Sequence, residues 1–467
     1  MKQKIGIRPS AVWAVFFLVG QAVALPASPG YARIVFSRAD SNPAQISAER
    51  IKRHVDFLAS DELQGRRAGS PFADRAAAYI EAEFRRYGLR PAREGKFLEP
   101  FSFVSDVLMS ADNLFRMKGP NIAGSLAPGR EFVPLAFSSP READGQMAFA
   151  GYGISAPELQ YDSYAGDDPA GKIVLILRGS PDGDNPHGKF ADYTLPGREL
   201  EFKTLKAKEK GAAAVVFISD QEEFGYHPDS HLPFDLNFLD AGIPAVLLGA
   251  DVGRSLLAGG GLSRDDIGTE LTGGAHCRLL KNWTFELRTN VTRVQGKTSN
   301  VVGLIQGSDS QLSSQYIVIG AHYDHLGMGG PESLAQNPYG QIHHGADDNA
   351  SGTAALLELA RVLSLEQAGL KRSIVFAAFS GEEEGLLGSA AFTRDSPIPL
   401  SSIVAMMNMD MIGRLRDRNL VIGGAGTSPA WKQLLDRLNR LTPPDAPAAE
   451  KGGPRFKLSL EDDGYGP

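Results

Sequence analysis

The sequence predicts an α/β fold: a layered sheet with helices on both faces, plus a smaller, inserted β-rich α/β domain. Three observations carry this. From about residue 296, continuous apolar runs alternate with a helix-spaced segment, the pattern of a parallel sheet covered on both sides. Between about 131 and 275 the texture changes to short strands and glycine turns with no grouping of chemistry-bearing residues. The length, 467 residues, is too great for one ordinary domain.

Composition narrows the class. Lys and Arg total 48 and Asp and Glu total 55, for a net charge of −7. That mild acidity weighs against a nucleic-acid partner, which needs a clustered basic face. Charged residues at 22% and hydrophobic ones at 42% are those of a globular protein rather than a disordered or fibrous one. With one cysteine, Cys277, the chain can form neither an intrachain disulfide nor a cysteine-based zinc finger.

Residues 1–32 read as a signal peptide. Lys2, Lys4 and Arg8 form a basic start, and the apolar run Ala11 to Leu25 is only about fifteen residues long, against roughly 20 for a membrane span. Cleavage would follow Ala24 or Ala32. The mature chain is then expected in the periplasm or outside the cell, with no stable membrane insertion.

Residues 45–130 open the main domain. Ser47 precedes the helix-spaced series Ile51, Val55, Leu58, and after a turn at 64–71 a second helix carries Ala76, Ile80 and Phe84 and stops near Gly88. In the insert at 131–275, Gly171–Gly179, Ala213–Ile218 and Ile243–Leu248 read as strands and Lys203–Lys210 as a helix, with a surface loop over Ser180–Pro196. Residues 290–467 complete the main domain. There Tyr316–Gly320, Ile374–Phe379 and Ile403–Met407 read as central strands, and Ser351–Leu365 as a helix.

Polar residues follow these strands. His322 and Asp324 come after the first, Glu382, Glu383 and Glu384 after the second, and Asp410 after the third, while Asp347-Asp348-Asn349 opens the helix. Ligands of such sheets lie at the carboxyl ends of the strands. So many carboxylates share one edge only with a strong cation among them. Nitrogen and oxygen donors without sulfur suit zinc, and less well manganese or cobalt. A pair of ions about 3.5–4 Å apart, sharing a bridging carboxylate, fits better than one. Glu382 and Glu383 divide the tasks of ligand and general base between them.

The series Ala321-His322-Tyr323-Asp324-His325, Gly345-Ala346-Asp347-Asp348-Asn349-Ala350-Ser351-Gly352, Gly381-Glu382-Glu383-Glu384-Gly385 and Asn408-Met409-Asp410-Met411 resembles the co-catalytic di-zinc aminopeptidase family of metallopeptidases. That family includes bacterial secreted leucyl aminopeptidases and glutamate carboxypeptidases. Residues 131–275 resemble the protease-associated domain often inserted in such enzymes.

The resemblance implies a zinc-exopeptidase fold and two zinc ions. His322 and Asp410 would hold one ion, Glu383 the other, and Asp348 would bridge them. Asp348 is preferred to Asp347 because the family's bridging acid directly precedes the residue aligned with Asn349. The Asp348–Asn349 peptide would be cis. Glu382 would be the general base and Asp324 would orient His322. The implied activity is hydrolysis of the N-terminal residues of peptides by a metal-bound hydroxide. A carboxypeptidase or dipeptidase of the same family, with Arg414 holding a substrate carboxylate, is one alternative; a catalytically inactive, receptor-like relative is another.

The family takes a fifth ligand, a histidine, from near the end of the domain. Here no histidine follows His344, so the resemblance implies a main domain cut short and lacking that ligand. His343 and His344 are expected to line the site or its rim, and His325 to contact substrate or serve the fold.

Overall fold

The computed structural model describes residues 45–461 apart from 120–122, 184, 186, 196, 228–229, 236–237, 263–276, 330–332, 334–339 and 442–453. The expected signal peptide lies outside the described residues. Among them, no helix is long and apolar enough to cross a membrane. Compactness divides the chain into two units, residues 1–103 with 297–467, and residues 104–296.

The first unit is built on one mixed sheet. Four of its strands are β1 (Val291–Ile305), β2 (Tyr316–His322), β3 (Ser373–Phe379) and β4 (Ile403–Asn408), in the spatial order β1-β3-β2-β4; among the described residues β4, expected as a central strand, lies at the edge, with Val404 and Met407 exposed. β1 is antiparallel to β3, whereas β3, β2 and β4 run parallel. The unit also holds helices α1 (Ala48–Leu58), α2 (Pro71–Arg86), α3 (Gly352–Leu365) and α4 (Leu387–Arg394), a further helix at Pro429–Asn439 and a two-stranded sheet of Asn419–Ile422 and Lys457–Leu460.

Every residue of β3 is buried, which a strand of Ile, Val, Phe and Ala satisfies only between two apolar layers. Its alternate side chains enter different cores. Ile374, Phe376 and Ala378 pack with α1, α2 and α3 through Leu58, Ile80, Phe84 and Leu356. Val375, Ala377 and Phe379 face the other way, onto Phe392 of α4 and Ile398. The predicted layered sheet with helices on both faces is therefore present.

The helices begin where the sequence places caps. Ser47 Oγ accepts the Arg50 N–H and Ser70 Oγ accepts that of Ala73, with Pro71 at the first helical position. α1 is also tied to α3 by the buried Glu358 carboxylate, which accepts the Ser47 N–H at 2.8 Å and pairs with Arg50 and Arg361.

The second unit carries a six-stranded sheet in the order Arg278–Leu279, Met147–Phe149, Ile173–Leu177, Ala214–Ile218, Ala245–Leu248, Phe132–Pro134. Its four inner strands are parallel. A four-stranded sheet joins Leu114–Lys118, Ala123–Ser125, Glu142–Gly145 and Thr284–Arg288. The expected insert helix runs Glu199–Glu209, four residues earlier than its lysine-rich stretch suggests.

Candidate metal centre

Register brings the site together. Within the sheet His322 is level with Phe379, and Gly320 with Asn408. The carboxyl ends of β2, β3 and β4 therefore lie side by side, and each chain turns into a polar loop there. β2 delivers His322 and then Asp324, β3 delivers Glu382 and Glu383, and β4 delivers Asp410. The fourth contribution, Asp348, comes from the turn that enters α3.

The donor atoms converge on the His322 ring. Its Nε2 lies 3.2 Å from Asp348 Oδ1, 3.3 Å from Asp410 Oδ1 and 3.8 Å from Glu382 Oε2. Two groups of donor atoms close enough to hold a metal ion share this histidine: His322 with Glu382 and Asp410, and His322 with Asp348 and Glu383. His322 is anchored by its own carbonyl, which accepts the Thr353 hydroxyl at 2.7 Å. Asp324 is fully buried; its Oδ1 accepts the Glu382 N–H at 3.2 Å and stands 3.7 Å from His322 Nδ1. The Asp324 Oδ2 and His322 Nδ1 atoms are buried without a hydrogen-bond partner.

The Asp347-Asp348-Asn349 turn has a division of labour that sequence alone leaves open. Asp347 is turned away from the histidine: its carboxylate accepts the Gly413 N–H at 2.8 Å and pairs with Arg414. Asn349 donates to Met409 O and accepts from Gly352 N and Met411 N. Both side chains thus staple the turn to the loop around Asp410, leaving Asp348 between them to face the cluster. The Asp348–Asn349 peptide is cis. Gly345, at φ +56°, starts this turn with the His325 ring 2.5 Å from where a Cβ would sit, so no larger residue fits.

Other candidates separate. His325 Nδ1 contacts Glu383 Oε1 at 2.5 Å and lies 3.9 Å from Asp348. His344 is exposed and bonded to Asp61 at 2.7 Å, while His343 sits beside His325 and bonds Ser333. Arg67, unremarked in the sequence, pairs with Glu384 at 2.8 Å. Arg66 is fully buried behind the cluster and carried no sequence signal at all, since arginine in a polar turn looks solvated.

Electrostatics favour a cation. Burial alone would lower the His322 pKa, but the carboxylates of Asp324, Asp348 and Asp410 outweigh it and raise it well above the usual value of 6.5. Burial raises Glu382 to about 7, with Glu383, Asp324 and Asp410 adding to the rise and His322 opposing it. Burial also raises Glu383, against the His325 bond. For Asp348 burial pulls upward, yet the bond and charge of His322 leave it below the usual carboxylate range. Without metal the cluster stores protons where a cation would sit. These donors, all nitrogen and oxygen, buried and mutually repelling, fit a metal centre.

A pH prediction follows from those directions. His322 and Glu382 have folded pKa values above their ordinary 6.5 and 4.5. In the metal-free protein their stabilisation is full below the ordinary values and is lost as pH rises through the folded ones. A metal held by His322 needs its ring nitrogen deprotonated, and a cation beside Glu382 favours the carboxylate form. Binding should therefore release protons, and affinity should climb as pH rises through about 7, the raised value of Glu382, and on through the higher one of His322. Calorimetric titration in buffers of different ionisation heat would measure the release; proton uptake would refute it.

Several known proteins resemble this chain. Residues 300–454 match peptidase family M28 and residues 132–256 match the PA domain. The chain is 32% identical over 182 residues to aminopeptidase NAALADL1 of Mus musculus, covering 38% of this chain and 20% of that protein. It is 27% identical over 334 residues to aminopeptidase YwaD of Bacillus subtilis (strain 168), covering 63% and 59%. The solved structure of BSAP, a zinc aminopeptidase from Bacillus subtilis, aligns over 85% of this chain and 78% of that protein at 19% identity and a TM-score of 0.42. The matches span between 18% and 24% of the length of the first curated relatives. His322, Asp348, Glu382, Glu383 and Asp410 all fall inside the segment that matches peptidase family M28, and the PA-domain match lies ahead of it in the chain.

Proposed function

We propose that this chain is an exported, zinc-dependent exopeptidase, an aminopeptidase that removes residues from the free amino end of peptides. The observation that carries this is the pair of donor groups sharing His322. His322 and Asp410 would hold one zinc, Glu383 the other, with Asp348 between them. When bound, the two ions would polarise the scissile carbonyl and acidify the attacking water.

The chain's own residues do the rest. Glu382 accepts a proton from water and returns it to the leaving amine; in the metal-free chain burial raises its pKa to about 7, and bound cations would bring it down into the carboxylate form a general base needs. Asp324 positions both partners, holding the Glu382 main chain and standing beside the His322 ring. The carboxylate surplus at the strand ends attracts a substrate ammonium group. Arg414, which a carboxypeptidase would need for the substrate carboxylate, instead has its Nε on Asp347 at 2.5 Å. The retained donors and base count against a receptor-like protein.

The test is hydrolysis of leucine p-nitroanilide and its N-acetylated form, with and without a chelator. Cleavage of the free-amine substrate alone, lost on chelation and restored by zinc, is the expected result. Equal cleavage of the acetylated substrate would overturn the aminopeptidase reading, and no cleavage with zinc bound would favour a carboxypeptidase or dipeptidase.

A further inference from the structure

Arg66 heads the fully buried side chains of the described residues. A buried arginine is expensive unless its donors are matched. Here all five N–H groups of the guanidinium have main-chain acceptors. Nε donates to Tyr323 O at 2.6 Å, Nη1 to Leu58 O at 2.9 Å and His344 O at 2.5 Å, and Nη2 to Gly345 O at 2.7 Å and Asp348 O at 3.4 Å.

These carbonyls are not arbitrary. Tyr323 lies between His322 and Asp324, and residues 344–348 form the approach to Asp348. One planar group therefore joins the two segments that bring the shared histidine and the intervening carboxylate into range. It also places a positive charge behind Asp324, Asp348 and Glu383; burial lowers its pKa to about 10, still far above neutrality, with those three carboxylates opposing the fall.

The turn that presents Arg66 is itself fixed. Gln64, Gly65 and Arg66 all have positive φ, at 43°, 69° and 42°. Gly65 O accepts the Gly327 N–H at 3.1 Å. A Cβ on Gly65 would come within 2.5 Å of the Gly327 and His343 carbonyl oxygens, so the turn lies flat against the main chain there.

We propose that Arg66 is a positioning residue of the metal centre, clamping the main chain at 323 and 344–348 so that His322 and Asp348 hold the spacing that the cations require. This rests on the zinc-centre reading above. Lysine keeps the charge but has one donor atom in place of a fork, so it cannot span both segments.

The experiment measures zinc affinity of the full chain by competition with a chromophoric chelator, for the wild type, Arg66→Lys and Glu358→Gln. The last breaks a buried network that contains no cluster residue and controls for general loss of stability. Arg66→Lys should weaken zinc binding about 10–100-fold, the usual effect of losing an outer partner of a metal site, while Glu358→Gln leaves it near wild type. Unchanged affinity in Arg66→Lys, or equal weakening in both variants, overturns the proposal. A wild type that binds no zinc defeats the metal reading and this role together. Should Arg66→Lys not fold, the zinc-induced rise in melting temperature of Arg66→Gln decides: a smaller rise than in the wild type supports the role, and an equal rise removes it.

Discussion

Glu382→Gln is expected to lower kcat for leucine p-nitroanilide by about 10³-fold, within the 10²–10⁴ range of general acid–base catalysis, with KM and bound zinc little changed. The amide matches the carboxylate in shape but cannot take a proton from water. Glu382 stands 3.8 Å from His322 Nε2, and its side chain is 29% exposed, so it faces both the cluster and incoming solvent. A loss confined to kcat marks an interaction made in the transition state rather than in substrate binding. Hydrolysis at wild-type rate, with zinc retained, would remove Glu382 from the proton path.

Asp348→Ala should have the larger effect on the metal itself. This carboxylate places Oδ1 3.2 Å from His322 Nε2 and Oδ2 3.9 Å from His325 Nδ1. Removing it should cost more zinc affinity than the roughly 10–100-fold typical of an outer partner and leave no measurable hydrolysis at micromolar zinc. Asp347→Ala, one residue earlier, gives the contrast. It frees Gly413 and Arg414 without deleting a donor, so zinc binding should weaken less. Equal zinc affinity in Asp348→Ala and the wild type would show that Asp348 is no ligand.

Much of this was legible in the sequence because strands buried on both faces have an unmistakable texture. Ile374–Phe379 could be little else, and polar residues directly after such runs must emerge at one edge of the sheet. Hence His322, Asp324, Glu382, Glu383 and Asp410 converge as their positions suggested. Which acid of the Asp347–Asp348 pair faces inward was not readable from the residues, since both are aspartates in one turn. The choice depends on Gly413 and Arg414, more than sixty residues on. Arg66 was invisible for the same reason: its acceptors are carbonyls as far away as residue 348, and main-chain acceptors leave no mark in a sequence. His325 was left between substrate contact and structure; its bond to Glu383 depends on the loop that follows β2, whose path no periodicity encodes.

The most direct test of the metal centre is the zinc content of the purified wild-type chain, measured by mass spectrometry of the metal after dialysis against dilute zinc. Two ions per chain, as the proposed assignment of His322 and Asp410 to one ion and Glu383 to the other requires, is the predicted result. A chain that binds no zinc at neutral pH would contradict the reading of this carboxylate cluster as a metallopeptidase centre.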